Sequence, residues 1–409
     1  MNILFLNEMD VSPMRGGIDQ ITLTLGRYFE KRGHHCFLAY GEESSLPTAF
    51  PAEVKMRYEY GKEKEQFAQW ISEKNIDIIV SKLGDIGPKK RLLPIIREVT
   101  RGTRTKVVAC LHAMPGEELI GNSIPNSFYR LLHEKDRKSS LKDIALEIIP
   151  TSWFQFFFHK KLRNRYRVLY DNADKVVLLS TAFNDRFAEL GDLEIDDKFA
   201  AINSALTFDE FLPESELAKK QKEVMILARM DEKPKRISSA LKIWRKVNQS
   251  GKYDDWKLTI VGGGRDLSYF QKMAKRLKLK NISFEGRQED ALRYYRRSSI
   301  FMMTSRYEGW GLTLTESQQN GVVPIAFYSY ASLPEIIDDG HNGFIVRDGD
   351  INAYYERLSW LMDHPDERKA MALEAISTSP RFMAEVIGEK WLTLFSDTLK
   401  QLATDMPAE

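Results

Sequence analysis

Short apolar runs alternate with longer stretches in which apolar residues recur every three or four positions, along most of the 409-residue chain. A run of four to six apolar residues reads as a strand buried on both faces, and a helical stripe between two such runs reads as a crossover helix. Repeated, the pattern predicts parallel βαβ units with helices on both sides of a sheet. Residues 3–6 lead through a loop containing Gly16-Gly17 into 18–31, where Ile21, Leu25, Tyr28 and Phe29 share one helical face ahead of Gly33. Further strands are expected at 35–39, 76–81, 106–111, 175–179 and 199–202. The second half repeats the scheme at 224–227, 257–261, 282–284, 300–303, 323–327 and 343–346. The fold class is therefore α/β, with two Rossmann-like, doubly wound domains facing across a cleft. The expected boundaries are 1–205 and 206–382, parted by the polar, proline-broken stretch 209–216. Residues 383–409, with Trp391, Leu394, Phe395 and Leu399 in helical period, are expected to cross back to the first domain.

Composition narrows the function. The chain has 60 basic and 58 acidic side chains, and residues 1–205 carry 30 and 28 of them, so neither half has the excess of a general nucleic-acid binder. Cys36 and Cys110 each sit in an apolar run, which reads as two buried thiols in a reducing compartment. No segment reaches the roughly 18 apolar residues that span a bilayer. The opening stretch lacks a basic n-region and meets Glu8 early, so it reads as a strand and the protein as cytoplasmic.

In open α/β sheets a ligand lies beyond the carboxyl ends of the strands, so the loops there carry the candidate chemistry. The most informative is 305–316, Ser-Arg-Tyr-Glu-Gly-Trp-Gly-Leu-Thr-Leu-Thr-Glu, which follows a strand and enters a helix stopped at Asn320-Gly321. Glycines on both sides of Trp310 let the backbone approach a ligand, and the helix start offers free N–H groups to a phosphate. Glu308 precedes that helix and Glu316 lies about a turn inside it. A carboxylate accepts two hydroxyls of a vicinal diol at once, so Glu316 suits a ribose and Glu308 a sugar ring.

Glu308, seven residues, then Glu316, with Gly309, Trp310, Gly311 and Leu312 after the first acid, resembles the paired-glutamate motif of family 4 retaining glycosyltransferases. These have the GT-B fold and include many enzymes of bacterial envelope, lipopolysaccharide and other polysaccharide synthesis. The resemblance is strongest over residues 224–346, where Val323-Pro324-Ile325-Ala326 and 334–344 match downstream segments. It implies transfer of a hexose or N-acetylhexosamine from a nucleotide-sugar, UDP-linked first and GDP-linked next. The acceptor would be a glycan or lipid-linked molecule, with retention at the anomeric carbon, no metal and no cofactor. In this resemblance 206–382 is the nucleotide-sugar-binding domain and 1–205 the acceptor-side one, Glu316 binds the ribose and Glu308 the donor sugar.

The basic loop 229–236 follows another strand. Permanently charged side chains there neutralise a departing diphosphate without a metal. The resemblance maps this role to Arg229 and to Lys235, with Lys233 as a rival because the usual Lys-Gly ending is absent. Gly16 and Gly17 read either as a tight turn or, as the resemblance implies, as backbone approaching the donor diphosphate or the acceptor. Gly262-Gly263-Gly264-Arg265 invites a dinucleotide reading, but the third glycine of that fingerprint would fall at Leu267. Gly286-Arg287 resembles the segment bordering the nucleotide base. His112 ends a strand of the first half, and the resemblance gives it a positioning or oxyanion role at the donor sugar. The other histidines, including His133, show no metal-ligand spacing. Residues 153–167 join an aromatic block to five basic side chains. They read either as a core helix with a solvated basic face or as a peripheral contact with an anionic membrane at the inner face of the plasma membrane. The competing functions are a nucleotide-sugar epimerase of the same fold and a non-catalytic carbohydrate-binding relative. An epimerase would act on donor alone.

Overall fold

A computed structural model describes residues 1–51, 55–82, 92–120 and 151–405, with the side chains of 151–158 and 401–405 left aside. Contacts divide the chain into two compact units. The first joins Met1–Gly116, Phe158–Thr207 and Arg381–Glu409, and the second joins Glu117–Phe157 and Phe208–Pro380.

The first unit is built on seven parallel strands: β1 (Asn2–Met9), β2 (His35–Glu42), β3 (Lys55–Arg57), β4 (Ile78–Ser81), β5 (Lys106–Leu111), β6 (Lys175–Leu178) and β7 (Phe199–Ala201). Their order, β3-β2-β1-β4-β5-β6-β7, reverses direction between β1 and β4. Ile3, Leu4, Phe5 and Leu6 are completely buried, as consecutive residues must be when helices cover both faces. Each such side chain contributes about 1.5–3 kcal/mol through burial. The short strand β3 has one apolar residue, Met56, in its three positions, and the hydrophobic pattern did not predict it.

The second unit has six parallel strands: β8 (Gln221–Leu227), β9 (Lys257–Val261), β10 (Ile282–Gly286), β11 (Ser298–Met303), β12 (Val323–Tyr328) and β13 (Phe344–Arg347). The order is β10-β9-β8-β11-β12-β13, so the reversal lies between β8 and β11. Val224, Ile226, Ile300 and Met302 from these two strands enter one core with Trp244, whose indole N–H donates to the Lys280 carbonyl at 2.9 Å.

The helix Ala384–Asp405 packs within the first unit against Gly17–Lys31. Phe29 and Phe395 meet edge to face at 5.8 Å, Arg32 pairs with Glu389 at 2.8 Å, and the Tyr28 hydroxyl donates to Glu389. No helix among the described residues is long and apolar enough to cross a membrane.

Candidate active site

Adjacent strands on either side of a sheet's reversal leave a crevice at their carboxyl ends. In the second unit β8 and β11 are those strands. The loop after β8 carries Arg229, Lys233 and Lys235, and the loop after β11 carries Glu308. The chain stitches the two loops together. Arg306 N–H donates to the Pro234 carbonyl at 2.7 Å, and the Thr304 hydroxyl to the Lys235 and Arg236 carbonyls, both at 3.1 Å. The Arg236 guanidinium adds bonds to the carbonyls of Thr304 and Ser305 at 3.0 and 2.9 Å and an ion pair with Asp348.

This stitching brings Lys235 Nζ to 2.5 Å from Glu308 Oε1, which also accepts the Ser305 hydroxyl at 2.6 Å. A small pocket lined by Lys235, Thr304, Ser305, Glu308 and Thr313 opens beside them. The pair is mostly shielded, with 20% and 14% of the two side chains exposed. Of the two candidate lysines, Lys235 is seen paired with Glu308.

Beyond Glu308 the chain turns into the helix Leu312–Gln319. Gly311 caps its start at φ +100°, and a Cβ there would lie 2.9 Å from the buried Tyr330 hydroxyl. Trp310 is buried, while Gly309, Leu312 and Thr313 are half-buried at the helix mouth. The helix ends in a Schellman motif: Val322 N–H returns to the Ser317 carbonyl at 2.9 Å and Gly321 N–H to Gln318 at 3.0 Å. Glu316 is nearly buried and accepts a 2.9 Å bond from the Tyr295 hydroxyl. Burial, then the adjacent Glu316, raises the Tyr295 phenol well above its ordinary value, so it stays a proton donor. Tyr330, buried beside Glu308, is raised for the same two reasons.

The three-glycine turn 262–264 serves the site indirectly. A Cβ on Gly262 would lie 1.9 Å from the Ala228 carbonyl oxygen, so only glycine lets this turn press against the loop after β8. Met230 N–H then bonds the Gly263 carbonyl at 2.9 Å, and Glu232 N–H bonds the Asp266 carboxylate at 2.8 Å. Arg229 leaves this braced loop with 68% of its side chain exposed and its guanidinium 3.8 Å from Asp231. Arg287, just after β10, lies against Gly263. The structure thus groups Lys235 with Glu308 and Glu316 with Tyr295, and sets Arg287 beside the glycine turn, whereas the Arg229 side chain stands largely exposed.

His112, Gly16 and Gly17 belong to the first unit. Gly16 caps the exposed start of the helix Gly17–Lys31. His112 follows β5, with both ring nitrogens out of solvent contact and without a hydrogen-bond partner among the described residues. Burial, then the Lys82 cation, pushes its imidazole down to about 3. Lys82, at the end of β4, donates to the Thr22 hydroxyl at 2.8 Å, and burial pushes it down to about 8.

Sequence reasoning passed over Ser305, Arg236, Tyr295 and Lys82. Tyr295 and Arg236 reach the site from elements 21 and 69 residues distant in sequence, so no local spacing signals them. In the segment 153–167, Leu162 and Tyr166 are buried, Arg163 pairs with Asp192, and Arg167 donates to the Gly191 and Asp192 carbonyls. Its described half is thus a helix packed in the first unit, with two arginines capping the end of Asn184–Gly191. The side chains of 153–158, and His133, lie outside the described residues. Among the described residues no group of three or more His, Cys, Asp or Glu side chains is placed to hold a metal ion.

Residues 207–378 match the family model of glycosyl transferases group 1. A protein described as an uncharacterized glycosyltransferase of Haemophilus influenzae is 26% identical over 261 residues, covering 62% of this chain and 71% of that one. The amylovoran biosynthesis glycosyltransferase AmsD of Erwinia amylovora is 30% identical over 190 residues, covering 46% of this chain and 51% of its own. The crystal structure of Anabaena HepE in complex with UDP and glucose superposes with a TM-score of 0.71 at 16% identity, over 97% of this chain and all of that one. The fold is GT-B. Together the family match and the relatives support a glycosyltransferase. The chain spans about half the length of the amylovoran relative, and the family match covers the second unit almost alone.

Proposed function

We propose that this glycosyltransferase moves a hexose or N-acetylhexosamine from a UDP-sugar to a glycan or lipid-linked acceptor in cell-envelope polysaccharide synthesis, with retention at the anomeric carbon. One observation carries the reading: the Lys235–Glu308 pair at the carboxyl ends of β8 and β11, immediately ahead of the Gly311-capped helix that holds Glu316. A relative named for amylovoran biosynthesis and a structure that holds UDP and glucose support the same reading.

In this reading Glu316 takes the ribose hydroxyls, with its second oxygen already fixed by Tyr295. Backbone groups of Gly309, Trp310, Gly311 and Leu312, at the positive end of the helix, face the donor. Arg287 borders the base. Glu308 grips the donor sugar, and its charge keeps the Lys235 ammonium beside the diphosphate. Arg229 and Lys235 offset the negative charge that builds on the leaving phosphate, so no divalent metal is required. The bond from the anomeric carbon to the diphosphate oxygen breaks as the acceptor oxygen bonds to the same face. The acceptor proton passes to the leaving phosphate.

A thermal-shift panel of UDP- and GDP-sugars tests the donor, because a ligand stabilises the fold according to how tightly it binds. UDP-sugars should raise Tm and Glu316→Ala should abolish the rise; a response confined to GDP-sugars would replace the donor. Arg229→Ala should cut transfer by about a hundredfold in an EDTA-insensitive assay, as expected for a lost preorganised charge. Transfer by that variant at the wild-type rate removes Arg229 from the mechanism.

A further inference from the structure

Lys220 follows the short 3-10 turn Glu214–Lys219 and lies just ahead of β8. Its ammonium donates two hydrogen bonds of 2.6 Å, one to the Tyr295 carbonyl and one to the Asn320 carbonyl. Both acceptors stand at the ends of helices: Tyr295 within Leu292–Arg297, and Asn320 as the cap of Leu312–Gln319. Carbonyls at a helix end lack intrahelical donors, and the dipole there is negative, so a cation is the fitting partner for both.

The same two residues touch Glu316 from their other sides. The Tyr295 hydroxyl bonds Glu316 Oε2 at 2.9 Å, and the Asn320 amide bonds the Glu316 carbonyl at 2.9 Å. One ammonium therefore sets the spacing between the group that holds the carboxylate of Glu316 and the group that holds its backbone. Burial, with Arg296 as the next cause, pushes Lys220 down to about 7, so what holds the amine here is its two carbonyl bonds and not exposure to water. Neighbouring bonds reinforce the clamp. The Gln319 amide donates to the Phe208 and Glu210 carbonyls at 2.8 and 3.2 Å, and the Phe208 ring packs on Tyr295 at 5.9 Å.

We propose that Lys220 is a positioning residue of the nucleotide site: by tying Tyr295 and Asn320 together it holds the Glu316 carboxylate where the ribose hydroxyls of a nucleoside diphosphate can reach it. The inference rests on the ribose role given to Glu316 above.

Calorimetric titration with UDP tests it in wild type, Lys220→Met, Lys220→Arg, Glu316→Ala and the double variant Lys220→Met/Glu316→Ala. Lys220→Met should weaken UDP binding about tenfold, and Lys220→Arg, which can still donate to two carbonyls, should recover most of that loss. The double variant should bind within about twofold of Glu316→Ala, because coupled residues are not additive. A merely structural lysine would lower Tm and give losses that multiply. Wild-type affinity in Lys220→Met, or multiplied losses in the double variant, overturns the proposal. UDP binding unchanged by Glu316→Ala overturns the ribose assignment instead. Should Lys220→Met fail to fold, Lys220→Gln takes its place in the same cycle.

Discussion

At the scale of single residues, the site depends on where charge is tolerated. His112 illustrates the point. Its folded imidazole titrates near 3, whereas an unfolded one titrates near 6.5. Between those values the unfolded chain binds a proton that the folded chain refuses, so stability falls as pH drops through that window. A melting series from pH 7 to 4 should show a shallower decline in His112→Asn than in wild type, and equal slopes would mean that the imidazole is solvated. Activity, for its part, should show no acid limb near 6.5 from this residue. Glu308, Glu316 and the basic loop were legible in the sequence because glycines and strand-like runs frame them. Tyr295 was not, since a tyrosine in a helix carries no mark of the distant carboxylate it will meet, and Arg236 and Ser305, though inside the basic loop and the glycine-rich stretch, carry no mark of which partner they will bond.

Among the elements, Leu312–Gln319 is the one that the hydrophobic pattern describes least well. Its inner positions include Ser317, Gln318 and Gln319, all fully buried, in place of an apolar stripe. Amide bonds replace apolar packing: Gln318 donates to the Ile336 carbonyl at 2.9 Å, and Gln319 reaches the loop at Phe208. The amide nitrogens are bonded, while the Oε1 atoms of both side chains are buried without a partner among the described residues; sliding the helix would also break the bonds that are made, which favours one seating. The glycines at either end were the readable part. Gly311→Ala should destabilise the second unit by about 1–3 kcal/mol, from left-handed backbone plus collision with the Tyr330 hydroxyl. It should also weaken UDP binding. Urea titration together with UDP titration checks both, and an alanine variant as stable as wild type would show that Tyr330 moves aside freely. Strands fared better than helices, because burial on both faces makes β1, β5, β8 and β11 continuous apolar runs. The edge strand β3, lacking such burial, left no comparable trace.

For the whole molecule, two parallel sheets, each with its own reversal point, account for the length and for the repeated pattern. Phe395 is fully buried against Phe29 and Trp391 within the first unit. Phe395→Ala should therefore cost about 3–5 kcal/mol there. Calorimetry should show the loss in the transition that UDP does not shift, and an unchanged thermogram would mean that the last helix contributes little. That helix also bears on synthesis. The first sheet is complete by Ala201, yet the helix that covers Phe29 emerges only after Phe208–Pro380 has been translated. At 5–20 residues per second that interval is on the order of 10–35 s. A nascent chain holds an uncovered aromatic face for all of it, which is the kind of surface that ribosome-associated chaperones shield.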